Sequence, residues 1–84
     1  MGPEEIKEKF AKRPFQPLRI YVSDGATYDV RHPEMVLITR RELHVGIPSK
    51  PDDQIPDRTA FVNILHVTHI EPINGKKPPR RRSA

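Results

Sequence analysis

The chain has 84 residues, with 15 Lys and Arg against 11 Asp and Glu, a formal net charge of +4, ten prolines and no cysteine. That length suits one small domain, and the absence of cysteine excludes disulfides, thiol catalysis and cysteine-based zinc sites. No apolar run approaches the ~20 residues of a bilayer span, and residues 1–13 lack the apolar stretch of a secretory signal, so a soluble, cytoplasmic domain without a membrane partner is expected.

Residues 3–12 read as a short helix. Pro3 suits a first helical position, Glu4 and Glu5 sit at the positive end of the helix dipole, and Lys12 and Arg13 at the negative end. Ile6 and Phe10 are four apart and share a face, a stripe too narrow to hold ten residues helical without docking. Pro14 and Pro17 stop the helix, and Phe15 between them is placed to plug the domain edge.

Leu18–Ser23 alternates, with Leu18, Ile20 and Val22 on one face, as a half-buried strand does. Asp24-Gly25 is a strong two-residue hairpin signal, and Thr27–Arg31 returns with Tyr28 and Val30 inward. His32-Pro33 ends that strand, because proline cannot donate to a ladder. Val36–Thr39 and Glu42–Ile47 form a second hairpin with Arg40-Arg41 at its tip. Residues 48–57 hold three prolines and one apolar side chain, Ile55, and read as a mobile loop. Thr59–Val62 is a strand, residues 63–65 a tight single turn, and His66–Glu71 a last short strand before Pro72.

No helix lies between strands, which excludes a parallel βαβ sheet. The expectation is a mainly β, α+β domain over residues 1–74: a small SH3-like or Sm-like antiparallel barrel of five or six short strands, with the N-terminal helix on one opening. The turn before the last strand favours the SH3-like form. The expected core is Ile6, Phe10, Leu18, Ile20, Val22, Tyr28, Val30, Val36, Ile38, Leu43, Val45, Phe61, Ile64, Leu65, Val67 and Ile70. The oligomeric state is open between monomer and dimer.

The charge is unevenly placed. Residues 75–84 carry Lys76, Lys77, Arg80, Arg81 and Arg82 with no acid, which leaves ten basic and eleven acidic residues in 1–74. The basic excess therefore belongs to the tail, whose composition predicts disorder. Such a run gains affinity for phosphates by counterion release; the plain alternative is a solubilising end. Arg40 and Arg41 could reach phosphates or bases from a hairpin tip, with Arg19, Tyr21 and Arg31 near them; the plain alternative is two solvated turn residues offset by Glu42 and Asp29. Five Phe and Tyr that must also build the core leave little for a base-stacking platform.

Enzymatic signals are weak. His66-x-x-His69 would place its rings on opposite faces of a strand, and only a pairing of His32 with His66 across strands would suggest a metal. No Gly-x-Ser-x-Gly surrounds Ser23, Ser49 or Ser83, and no glycine-rich phosphate loop is present. No catalytic residue, metal ligand or cofactor is assigned.

The run Pro14-Phe15-Gln16-Pro17-Leu18-Arg19-Ile20, then Asp24-Gly25, Tyr28-x-Val30-x-His32-Pro33 and Leu65-His66-Val67-Thr68-x-Ile70-Glu71-Pro72 resembles a group of short single-domain bacterial proteins common in planctomycetes. The likeness covers about residues 4–73. It implies a bacterial source and a single domain, and it transfers no activity and no catalytic residue. Met35-Val36-Leu37-Ile38-Thr39-Arg40-Arg41 is also similar to the opening strand of the carbon storage regulator family, small RNA-binding dimers. Here the segment is internal and lacks the glycine-containing turn after Arg41, so that likeness does no more than single out Arg40 and Arg41.

The function expected from these residues is sequence-nonspecific RNA or other nucleic-acid binding, without catalysis, through Arg40, Arg41, Lys76, Lys77, Arg80, Arg81 and Arg82. The alternative is a protein–protein adaptor that uses an exposed strand edge, or the helix through Ile6, Phe10 and Phe15.

Overall fold

The computed structural model describes residues 1–50 and 53–73. Helix α1 spans Pro3–Ala11, and six strands follow: β1 Leu18–Val22, β2 Thr27–Val30, β3 Val36–Ile38, β4 Glu42–Ile47, β5 Arg58–Asn63 and β6 Val67–Pro72. They form two antiparallel three-stranded sheets, ordered β2-β1-β6 and β3-β4-β5. None of the described helices is long and apolar enough to cross a membrane. The tail, 75–84, lies outside the described residues, as do 51 and 52 in the loop before β5.

The expected closed barrel is not what forms. The chain passes between the sheets twice, each time through a 3₁₀ turn, Pro33–Met35 and Ile64–His66, and no ladder spans either passage. Both breaks have local causes. Pro33 has no N–H for a ladder, and the Met35 N–H turns back to the His32 carbonyl at 2.9 Å. The Asn63 carboxamide accepts from the Leu65 N–H at 2.9 Å and starts the second turn. The last strand then returns to β1, pairing Ile70 with Ile20 and Glu71 with Arg19.

Two turns set the edges of this arrangement. At the start of α1 the Glu5 carboxylate accepts from the Gly2 N–H at 2.9 Å, one half of a capping box; glycine has no side chain to supply the other. In the first hairpin the Gly25 N–H reaches the Val22 carbonyl at 2.9 Å, so Ser23 and Asp24 are the central residues and Gly25 follows at φ 94°. This is the three-residue loop with a left-handed glycine, not the two-residue turn that Asp-Gly suggests.

The core holds twelve buried apolar side chains, and among the described residues no polar side chain is buried with them. Ile6, Ile20, Val30, Leu43 and Val45 are completely enclosed. Ile6 and Phe10 are how α1 docks: both face the layer between the sheets, and Phe15 stacks on Phe10 with ring centroids 6.1 Å apart. A bulge at Thr68 lets β6 bury both Val67 and Ile70, which strict alternation forbids. The Thr68 hydroxyl donates to the Tyr21 carbonyl at 3.1 Å there.

Phe61 and Leu65 are corrections: they are 68% and 87% exposed. The register explains Phe61. Leu43 and Val45 point inward and pair with Val62 and Ala60, which leaves Phe61 opposite His44 on the outer face. Leu65 is the outward residue of a turn whose inward residue is Ile64. Met35, by contrast, is buried, with its sulfur close to Gly46, where an added Cβ would lie 3.2 Å from it and 3.0 Å from Pro56 Cβ. Val22, Tyr28, Val36 and Ile38 are partly buried against the same core.

The register yields a paired test by urea denaturation. Leu43→Ala is expected to lower stability by about 2–5 kcal/mol, as a large-to-small change in a closed core does. Phe61→Ala should cost no more than about 1 kcal/mol, the range of one cross-strand pair on an exposed face.

Candidate nucleic-acid interface

The β3–β4 tip is a built turn. The Thr39 hydroxyl accepts from the N–H of Glu42 at 2.9 Å and of Arg41 at 3.2 Å, and donates to the Glu42 carbonyl at 3.1 Å. The Thr39 N–H meets the same carbonyl at 2.9 Å. Arg40 and Arg41 stand exposed on this turn. The Arg41 carbonyl accepts from the Ile64 N–H at 2.8 Å, which fixes the tip beside the second 3₁₀ turn and its exposed Leu65.

Neither acid expected to offset these arginines does so. The Glu42 carboxylate lies 3.0 Å from His44 Nε2, and Asp29 grips Arg19 through two hydrogen bonds of 2.7 and 3.2 Å. Hydrogen bonding to Asp29, with its negative charge, pushes the Arg19 guanidinium further above its already high range. Arg19 is thus neutralised on its own sheet and is paired in register with Glu71 on its other side. Among the described residues no carboxylate forms an ion pair with Arg40 or Arg41. Arg31 does not join them either; it lines a cleft beside β2.

A second basic surface went unread in the sequence. Lys9, Lys12 and Arg13 line a groove of about 370 Å³ with Pro14, Gln16, Leu18, Ile70 and Pro72. Arg13 is held there by donating to the carbonyls of Phe10 at 3.0 Å and Lys12 at 2.9 Å. Such residues suit the end of any helix dipole, which accounts for them in the sequence without a groove. What reveals it is β6, which brings Pro72 to the groove and ends with the Ile73 N–H on the Pro17 carbonyl at 2.9 Å. The chain therefore enters its basic C-terminal sequence from the edge of a basic groove. Lys76, Lys77, Arg80, Arg81 and Arg82 themselves lie outside the described residues.

The two surfaces are not contiguous. The tip adjoins the start of β6 and the groove its end, and six strand residues put them about 17 Å apart.

Each sheet carries one histidine stacked on an aromatic ring on its outer face. Tyr21 and His69 have centroids 4.1 Å apart, and His44 and Phe61 4.3 Å. His69 Nε2 is 3.2 Å from Glu71, as His44 is from Glu42 at 3.0 Å. Leu37 pairs with His44 on the same face and is 61% exposed, so Leu37, His44 and Phe61 form a row across the second sheet.

The remaining histidines do not meet. His66 Nδ1 is 3.3 Å from Ser23 Oγ, at the Val22 end of the first sheet, whereas His32 follows Val30, which pairs with Leu18 at the other end. Among the described residues no three His, Asp or Glu side chains gather closely enough to hold a metal ion. The Ser23–His66 pair lacks a third group to orient the imidazole, since no described carboxylate bonds to His66.

No protein-family model, no curated protein and no solved structure matches the chain at a significant level.

Because the Thr39 oxygen is the acceptor for two amides of the tip, Thr39→Val should accelerate hydrogen exchange at the Arg41 and Glu42 amides. Exchange at Leu43, inside the ladder, should change little. Amide exchange followed by NMR checks this.

Proposed function

We propose that the domain binds single-stranded nucleic acid, RNA first, with little sequence preference and without catalysis. The observation that carries this reading is the groove of Lys9, Lys12 and Arg13 at the place where β6 hands the chain to a sequence of five cations and no acid. A phosphate backbone that engages the tail would find three further charges at its root. Arg40 and Arg41, which form no ion pair with the neighbouring Glu42 or with Asp29, offer a second contact about one strand length away. In the Tyr21–His69 and His44–Phe61 stacks the exposed members, His69 and Phe61, offer the ring surface not covered by their partner to bases, which stack without sequence discrimination.

We also read the fold as an open relative of the SH3-like and Sm-like barrels. The order of hairpins supports that reading, as do the 3₁₀ turn before β6 and the return of β6 to β1.

A protein partner is the second reading, and one observation moves it. Ile6 and Phe10 are buried within the domain, so the helix face first considered is already occupied. The row of Leu37, His44 and Phe61, with Leu65, is what a partner would meet.

Fluorescence anisotropy with a labelled mixed-sequence single-stranded RNA, across a salt series, tests the first reading. Each engaged charge should add roughly 0.7 to the magnitude of the log–log salt slope. Replacing Lys9, Lys12 and Arg13 by Gln should therefore lower it by about 2, and ending the chain at Asn74 by about 3.5. Arg40→Ala with Arg41→Ala should lower it by about 1.4. Absence of binding at low salt would refute the nucleic-acid reading and turn attention to the Phe61 face.

A further inference from the structure

A cleft of about 400 Å³ opens where the two sheets part, between the outer edge of β2 and the end of the β4–β5 ladder. Its size falls in the lower part of the range of small-molecule sites, about 300–1,000 Å³. The floor is apolar: Met35 and Val45 are buried, and Gly46 contributes no side chain. One wall is Tyr28, half-buried against the core. Arg31, His32 and Arg58 stand on the lining.

The charge of this cleft depends on where its acids are directed. Asp29 lines it, yet both carboxylate oxygens are on Arg19. Asp53 lines it too, but its Oδ1 accepts from the Ile55 N–H at 3.0 Å. Among the described residues no carboxylate forms an ion pair with Arg31, His32 or Arg58. Two permanent cations and an imidazole therefore line an apolar-floored cavity without an ion-pair partner among the described residues, and Asp53 is the one lining acid not held by a cation. Guanidinium groups bind phosphate oxygens through paired N–H donors, and a tyrosine wall beside them receives a flat ring.

We propose that this cleft binds a single nucleotide, with its phosphate monoester on Arg31 and Arg58, assisted by His32, and its base against Tyr28. The site stands apart from the tail and from the α1 groove, and it does not depend on RNA binding by either. An acidic peptide laid along the β2 edge is the other ligand such a cleft could attract. The tyrosine wall and the small apolar floor favour a ring over an extended chain.

NMR titration of the full-length chain with adenosine 5′-monophosphate at physiological salt tests the proposal, with inorganic phosphate, adenosine and an acidic dipeptide as separate arms. The nucleotide is expected to shift the amides of Tyr28, Arg31, Met35 and Arg58 saturably. Arg31→Gln with Arg58→Gln should raise its Kd at least about tenfold, equivalent to about 1.4 kcal/mol, with an unchanged urea midpoint. Tyr28→Leu should weaken the nucleotide but not inorganic phosphate. Three results would overturn the proposal: shifts confined to residues 74–84, tighter binding of the dipeptide than of the nucleotide, or a Kd indifferent to the double variant. Because the Gln substitutions leave the tail and groove intact, salt-steep RNA binding should survive them, so failure here and failure of RNA binding are read separately.

Discussion

A single apolar layer, shared by two three-stranded sheets and one short helix, is the constraint from which the rest of this structure follows. Twelve side chains fill it, with no described polar group among them to fix geometry by hydrogen bonding. Packing alone therefore sets which face of each strand turns inward. A one-residue slip in any strand would exchange its buried set for its exposed one. Leu43 and Val45 are the fixed points of the second sheet, as Ile20 is of the first, because each is fully enclosed between neighbours on both sides of its strand.

The outer faces are consequences of that inner choice. Once Leu43 and Val45 face inward, Phe61 must stand outside beside His44, and once Ile20 meets Ile70, Tyr21 must stand beside His69. Two aromatic–histidine stacks, one on each sheet, thus arise from alternation. In both, a glutamate two residues along the same strand reaches the imidazole. The result is a domain whose exposed surface carries flat rings although its core contains few.

The electrostatic character likewise depends on local pairing more than on net charge. Residues 1–74 balance to slightly acidic by count. Yet the described acids are largely directed at near neighbours: Asp29 to Arg19, Glu42 to His44, Glu71 to His69, and Asp24, Asp53 and Glu5 to backbone N–H groups. The tip keeps Arg40 and Arg41, the groove Lys9, Lys12 and Arg13, and the cleft Arg31 and Arg58, all without an ion-pair partner among the described residues. A near-neutral folded part can therefore present three cationic surfaces, because short-range hydrogen bonds decide which charges stay available.

Much of this was legible in the sequence. Alternation over Leu18–Val22 and Glu42–Ile47, the breaking power of Pro33 and the Ile6–Phe10 stripe are properties of a few adjacent residues, and the elements lie where those residues put them. The first hairpin was legible as well, although its turn centres one residue earlier. The side of β5 was not legible, because Thr59–Val62 alternates as well with Phe61 inward as outward, and only its partners on β4 choose. Nor was the barrel's failure to close, which depends on two 3₁₀ turns pointing β3 and β6 away from the strands before them. The Lys9–Arg13 groove and the β2–β4 cleft join residues distant in the chain. Local sequence determined the elements because the backbone responds to its neighbours; tertiary structure decided the surfaces, because a surface is made by segments that meet only after folding.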